Sequence, residues 1–257
     1  MSGRVRQIDT GLVRTVITLA GNEGWAWFVR LIAAVALTAC IASVSASPAR
    51  VEQLVQTALQ LDHHPDRGAT LYARHCSGCH GPEALGNSVR AIPVLAGQRR
   101  AYLIKQLADF SEHERESVQM HAAAAGQPDL TQPQSWVDIA AWLNSLTPAV
   151  FLETGDGEAL ELGEAIFQEQ CASCHEEDAR GDDDGFVPAL RSQHYSYLMR
   201  QMGLFGSWHR RNVEPDLSRF LQSLDDDEMT AVCVYLSHMQ GPVRDRTTLD
   251  QDGTVGD

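Results

Sequence analysis

Basic residues are scarce in this chain of 257 residues: 20 Lys and Arg stand against 34 Asp and Glu, a formal net charge of −14. That balance argues against a nucleic-acid partner. It fits docking to a basic protein surface, and equally a protein that needs charge for solubility. No long polar low-complexity tract is present, and the length suggests one or two domains once any targeting segment is removed. No alternating apolar–polar run is long enough for a sheet, which points to an all-α chain. No nucleophile–base constellation or phosphate-binding loop appears, so enzyme chemistry of those kinds has nothing to rest on.

Long apolar runs are also few. "LIAAVALTACIASVSA", Leu31 to Ala46, is uncharged and follows Arg4, Arg6, Arg14 and Arg30. A basic start, an apolar stretch of this length and a small-residue end make residues 1–46 an export signal, with "VSA" suiting cleavage after Ala46. "LTAC" at 37–40 offers a second fate, lipidation at Cys40. Retention as a membrane anchor is a third, although the run is short for a span unless Trp25 to Arg30 is included. Each fate places the rest of the chain outside the cytoplasm. Residues 1–46 carry four Arg and two acidic residues, so the remainder is near −16.

Cysteine is used sparingly but in a pattern. Four of the six cysteines lie in "RHCSGCHG" (74–81) and "EQCASCHE" (169–176). Disulfides are the default for an exported chain, and two CxxC pairs could build one tetrahedral zinc site. Each pair is followed directly by a histidine, which favours a third chemistry, covalent attachment of haem c. Two intervening residues let one helical turn present both sulfurs to the vinyl edge of a porphyrin, and the next residue turns its imidazole to the metal. The candidate attachment residues are Cys76, Cys79, Cys171 and Cys174. His80 and His175 are the candidate metal ligands.

The two motifs sit in a duplication. "PVLAGQRRAYLIKQLADF" (93–110) aligns without gaps with "PALRSQHYSYLMRQMGLF" (188–205) at an offset of 95, sharing Pro93/Pro188, Gln98/Gln193, Tyr102/Tyr197 and Gln106/Gln201 among others. "WVDIAAWLNSL" (136–146) answers "MTAVCVYLSHM" (229–239) at an offset of 93. Each repeat predicts three helical segments: one running into the CxxCH, one amphipathic around Tyr102 or Tyr197, and one at the end. The boundaries expected are residues 66–149 and 157–242, joined near "TPAVFLETGDGE".

This arrangement resembles the class I c-type cytochromes, and the duplication resembles the periplasmic dihaem cytochrome c4 group. The resemblance rests on both CxxCH motifs, the Pro-x-Leu that starts thirteen residues after each histidine, the Y-L-x-x-Q helix and the aromatic-ended last helix. It implies two tandem all-α cytochrome c domains, each around one haem. It implies that the carbonyls of Pro93 and Pro188 orient His80 and His175. It also implies a methionine opposite each histidine, on a loop before the last helix.

Met120, in "ESVQMHAAAAG", is the only methionine between the two CxxCH motifs and is the sixth-ligand candidate of the first repeat. His113 and His121 are its alternatives. The second repeat departs from the pattern. The gapless register sets Pro215 opposite Met120, and the family pattern sets Leu217 there; neither can ligate iron. His209, in "SWHRRN", lies in the corresponding loop and is the candidate, with His194, His238 and the helical Met199, Met202, Met229 and Met239 behind it and an open iron as the other outcome. A second haem without methionine would have the lower potential.

The function expected is single-electron transfer in the periplasm, by a soluble or inner-membrane-tethered protein. The resemblance implies redox partners: a quinol-oxidising complex on one side and a terminal oxidase or reductase on the other. The alternative is a dihaem oxidoreductase, thiosulfate-oxidising or peroxidase-like, working at the atypical second haem. A small-ligand sensor or fixed subunit is a third class. Cys233 reads as a buried thiol, "GDDDG" (181–185) as a solvated loop rather than a calcium site, His63 and His64 as surface, and the charges of "ERE" (114–116) and "HRR" (209–211) as loop residues with no selected role.

Overall fold

A computed structural model describes residues 46–148 and 152–241, apart from Trp208, Arg211, Val213 and Glu214. The expected leader, Cys40 included, lies outside the described residues but for Ala46. Among the described residues no helix is long and apolar enough to cross a membrane.

The first repeat contains α1 (Ala46–Leu59), α2 (Pro65–His75), α3 (Ser77–His80), α4 (Arg100–Ser111), α5 (Val118–Ala124), a 3-10 turn (Pro128–Leu130) and α6 (Pro133–Ser145). The second contains α7 (Leu160–Ile166), a π-helical stretch (Phe167–Cys171), α8 (Ala172–His175), α9 (Tyr195–Gly206), α10 (Pro215–Ser223) and α11 (Asp226–His238). The described residues hold no strand, only the isolated bridges Asn87–Ile92 and Asp182–Val187, which are again 95 apart. All three helical segments expected in each repeat are present. The additional short helices α5 and α10 occupy the ligand loops.

Local chemistry sets the helix ends. Proline opens α2 and α6 in the first turn, where its missing N–H has no intrahelical partner to lose. Asp225 and Glu228 close a capping box on α11. Ser117 caps α5 by accepting from the Met120 amide.

In each repeat the helix that enters the CxxCH and the last helix cross at a glycine. A Cβ on Gly68 would lie 2.0 Å from the Asp138 carbonyl oxygen of α6, and one on Gly163 would lie 2.0 Å from the Ala231 carbonyl oxygen of α11. Two helix backbones meet this closely only where no side chain intervenes. The equivalence of Asp138 with Ala231 also sets Cys233 opposite Ala140. Around these crossings lie two apolar cores, one built on Tyr72, Ile104 and Leu143, the other on Phe167, Leu198 and Leu236. In the first repeat Val51, Val55 and neighbours of α1 pack on Leu107, Ala108 and Trp136.

The two repeats face each other about a pseudo-twofold axis, and equivalent residues make equivalent bonds across it. Gln98 Nε2 donates to Ala189 O (3.0 Å) and Gln98 Oε1 accepts from Ala189 N (2.8 Å). Gln193 does the same with Val94, at 3.0 and 2.9 Å. Arg99 Nε donates to Arg180 O at 2.7 Å, and its equivalent His194, through Nε2, donates to Leu85 O at 2.8 Å. Asp183, within "GDDDG", accepts from the Ala101 amide at 2.8 Å at the start of α4, where a carboxylate suits the helix dipole. Ser196, the equivalent of Ala101, donates to Ser88 O at 2.8 Å.

Candidate haem sites

Each CxxCH sits at the junction between the helix entering the repeat and a single following turn, α3 or α8. Cys79 and Cys174 are exposed, Cys76 and Cys171 half-buried, and all four are unbridged thiols. Burial and the neighbouring thiol push Cys76 and Cys171 up to about 11, so both stay protonated at neutral pH. Among the described residues no group of three or more His, Cys, Asp or Glu is placed to hold a metal ion. A four-thiolate zinc site and a calcium loop at "GDDDG" therefore both lack geometry.

The histidines are held alike. His80 Nδ1 lies 3.3 Å from Pro93 O, and His175 Nδ1 lies 3.0 Å from Pro188 O. A carbonyl can only accept, so Nδ1 carries the proton and Nε2 keeps its lone pair free for a metal. Burial pulls both imidazoles below the usual histidine range, against a smaller opposing pull from the proline carbonyl. Glycine shapes the loop that brings the carbonyl in. Gly86 and Gly181 have φ of +70° and +69°, and a Cβ on either would lie 2.5 Å from the oxygen of Pro93 or Pro188. Their amides return to His80 O and His175 O, each at 2.9 Å. A pair of unbridged thiols beside an imidazole with an oriented lone pair fits haem c, and it does so twice. Cys76 and Cys79 would hold one porphyrin with His80 as the proximal ligand, and Cys171, Cys174 and His175 the other.

The distal sides differ. Met120 stands half-buried in the first turns of α5. His121 beside it holds Phe110 O through Nδ1 at 2.6 Å and packs its ring 4.1 Å from that of His113. The loop of the second repeat carries α10, whose sequence PDLSRFLQS contains no Met or His, and Leu217 there is 38% exposed. His209 is exposed, with Nδ1 2.9 Å from Ser207 Oγ. Of the other donors considered, His194 is committed to Leu85 O across the axis, and His238 to Val234 O at 2.9 Å within α11. Met199, Met202 and Met239 pack in the second core, where the Cys233 thiol donates to Met202 Sδ at 3.5 Å.

Arg115 and Arg210, 95 residues apart, are 9% and 5% exposed and swap partners across the axis. Arg115 donates to Gln106 Oε1 (2.6 Å), Tyr197 Oη (3.1 Å) and Gln201 Oε1 (2.9 Å). Arg210 donates to Gln201 Oε1 (2.5 Å), Tyr102 Oη (2.9 Å) and Gln106 Oε1 (3.1 Å). Each also lies over a phenylalanine ring of its own repeat, Phe110 or Phe205. In the sequence these arginines read only as loop charges. Their equal offset is the available signal, and burial is what gives it meaning.

An all-α duplicated chain with two CxxCH turns and two proline-oriented histidines is a c-type haem protein. The cytochrome c family profile matches residues 65–147 and again 160–240, and the chain belongs to that family. It is 30% identical over 182 residues, 67% of this chain and 82% of the relative, to a thiosulfate dehydrogenase electron acceptor of Stutzerimonas stutzeri (strain A1501). Cytochrome c4 of Thiocapsa roseopersicina is 32% identical over 174 residues, 63% of this chain and 85% of that one. The structure of reduced recombinant cytochrome c4 from Pseudomonas stutzeri superposes with a TM-score of 0.60 at 25% identity, covering 70% of this chain and all of that one. The protein is therefore a dihaem, cytochrome c4-like member of the family. It carries two covalently attached haem c groups, transfers electrons, and has redox proteins as its partners.

Proposed function

We propose that the chain carries single electrons outside the cytoplasm between respiratory proteins, a quinol-oxidising complex or a soluble dehydrogenase on the donor side and a terminal oxidase or reductase on the acceptor side. Bound haem supplies reversible one-electron exchange. The chain's own residues fix the imidazoles, bury their proximal faces and hold the two sites in one bonded frame. The observation that supports this most is the repetition of the same proximal geometry, CxxCH turn, glycine, proline carbonyl and imidazole, on both sides of a pseudo-twofold axis. Met120 would complete the first site, and His209 is the candidate at the second. Stopped-flow mixing of the reduced protein with a purified membrane oxidase tests the proposal. Oxidation of both haems within milliseconds to seconds supports it; reduced protein that stays reduced overturns it.

The second function considered is catalysis at the second haem, and one observation favours it: α10 offers no methionine or histidine. The relative described as an electron acceptor for thiosulfate dehydrogenase favours the carrier instead, with thiosulfate-derived electrons arriving from a separate enzyme. Incubation of the oxidised protein with thiosulfate alone separates the two. Turnover without a second enzyme establishes catalysis, and reduction only in the presence of a dehydrogenase establishes the carrier.

A further inference from the structure

We propose that Gln98 and Gln193 are positioning residues that act crosswise: each holds the proximal histidine of the other repeat. The inference rests on the proposal that His80 and His175 are the proximal ligands. Gln193 belongs to the second repeat, yet its side-chain amide bonds both backbone groups of Val94 in the first, Nε2 to the carbonyl at 3.0 Å and Oε1 to the amide at 2.9 Å. Val94 follows Pro93, whose carbonyl orients His80. Gln98 of the first repeat grips Ala189 in the same way, at 3.0 and 2.8 Å, and Ala189 follows Pro188, whose carbonyl orients His175.

A primary amide bonding one residue through both its backbone groups fixes the position and the rotation of that peptide, as a strand neighbour would. Gln98 and Gln193 are only 8% and 5% exposed, so water does not substitute for them readily. Bonds within each repeat hold the rest of the proline loop: Ile92, before Pro93, exchanges both backbone bonds with Asn87, and Val187, before Pro188, does so with Asp182. Ala84 O accepts from the amides of Leu95 and Ala96, and Ala179 O accepts from those of Leu190 and Arg191. The residue directly behind each proline is held by the opposite repeat. The hydrogen bond at Nδ1 tunes the donor strength of the imidazole. Loosening the carbonyl weakens that bond, makes the imidazole a poorer donor and disfavours the oxidised metal. Loss of a glutamine in one repeat therefore raises the midpoint of the haem in the other.

The test uses the full haem-loaded chain. Gln193→Leu keeps most of the bulk and removes both bonds to Val94, together with the one that Oε1 accepts from the His194 amide; Gln98→Leu is its mirror, with the Arg99 amide in that place. Potentiometric titration reads both midpoints, and a Cys171→Ser/Cys174→Ser chain, which attaches haem only in the first repeat, identifies the first wave. Gln193→Leu is expected to raise the first haem's midpoint by about threefold or more in the reduction constant and leave the second in place. Gln98→Leu is expected to do the reverse. Gln193→Met is uncharged, also removes both Val94 bonds and is expected to raise the same wave, which covers a leucine variant that fails to fold. Shifts confined to the haem of the mutated repeat, or a fall in melting temperature with both midpoints unmoved, overturn the proposal. A wild-type chain with fewer than two haems overturns instead the ligand assignment beneath it.

Discussion

The crossing of α7 with α11 gives the sharpest stability prediction, because the same repeat supplies its own control. In Gly163→Ala the new Cβ would meet Ala231 O at 2.0 Å, Ala231 C at 2.6 Å and Tyr235 Cβ at 2.8 Å. Two of those three atoms are helix backbone, so α7 must retreat by about 1 Å before the contact is tolerable. Overpacking of this kind costs about 1–3 kcal/mol, occasionally more. Alanine returns up to about 1 kcal/mol through helix propensity, leaving a net loss of up to about 2 kcal/mol. In a cooperative pair of repeats that is up to about 8 °C in melting temperature. Gly203, on α9, has open space where a methyl group would stand, with nothing within 4 Å. Gly203→Ala therefore gains the propensity without the clash and is expected to raise the melting temperature by about 1–3 °C. Far-UV circular dichroism on the haem-loaded protein measures both. Because α7 leads through Phe167–Cys171 into the second CxxCH, the Gly163 variant is also expected to move the second haem's midpoint and spare the first. Equal melting temperatures for the two variants, or a destabilising Gly203→Ala, would refute the packing argument.

The interface arginines give an electrostatic prediction. Arg115→Gln removes one of two buried guanidiniums and should lower both midpoints, on the order of 1 kcal/mol each at an effective dielectric constant of about 20, while Arg115→Lys keeps the charge and stays near wild type; redox titration distinguishes them. Met120→Ala should abolish the methionine–iron absorption band altogether rather than halve it, since α10 supplies no second methionine. Cys233 gives a pH dependence. Burial pushes its thiol from 9.0 to about 12, so the folded chain keeps a proton that the unfolded chain releases. That stability is whole below pH 9 and is lost as pH rises towards about 12. Urea unfolding at about pH 8 and about pH 10.5 should show wild type losing about 2 kcal/mol more than Cys233→Ala, and equal losses would refute the assignment.

Much of the proximal site was legible in the sequence, because its parts are local. A CxxCH turn, a proline thirteen residues on and an amphipathic helix declare themselves by spacing. The axis between the repeats was not legible, because its bonds join residues 81 to 109 positions apart. Gln98/Gln193, Tyr102/Tyr197 and Gln106/Gln201 stand out in the sequence as identities between the repeats and read there as the signature of one helical domain. Their contacts show a further reason for the identity: each faces the other repeat. Arg115 and Arg210 read as loop charges, since nothing in composition distinguishes a buried guanidinium from a solvated one. "GDDDG" reads as a solvated loop, yet Asp183 within it caps the amide end of α4. Trp136 is fully buried and donates to Leu130 O at 2.5 Å.

Three differences between the repeats fall away from the axis, and their placement carries an argument. Tyr72 donates to Gly81 O at 2.6 Å, while its equivalent Phe167 has no hydroxyl to do so. Asp138 is fully buried and held by Arg67, the His64 amide and Gln134, whereas Ala231 and Leu162 replace the carboxylate and the arginine in the second repeat. Met120 has no counterpart on α10. The glutamines, tyrosines and arginines that bond across the axis remain matched, while Asn212, which bonds Gln106 and Asp109 there, and Asp183 have Ser117 and Ser88 as their equivalents. A shared interface constrains both copies at once, since changing one glutamine or arginine leaves its partner's buried atoms unsatisfied. Differences confined to one repeat's own core leave the other repeat's buried atoms satisfied. Divergence there changes one site's ligand and polarity without disturbing the frame that fixes the other. If the second haem lacks a methionine ligand, a duplicated carrier of this kind holds two sites with the same proximal geometry and unequal potentials, and an electron then has a preferred resting place.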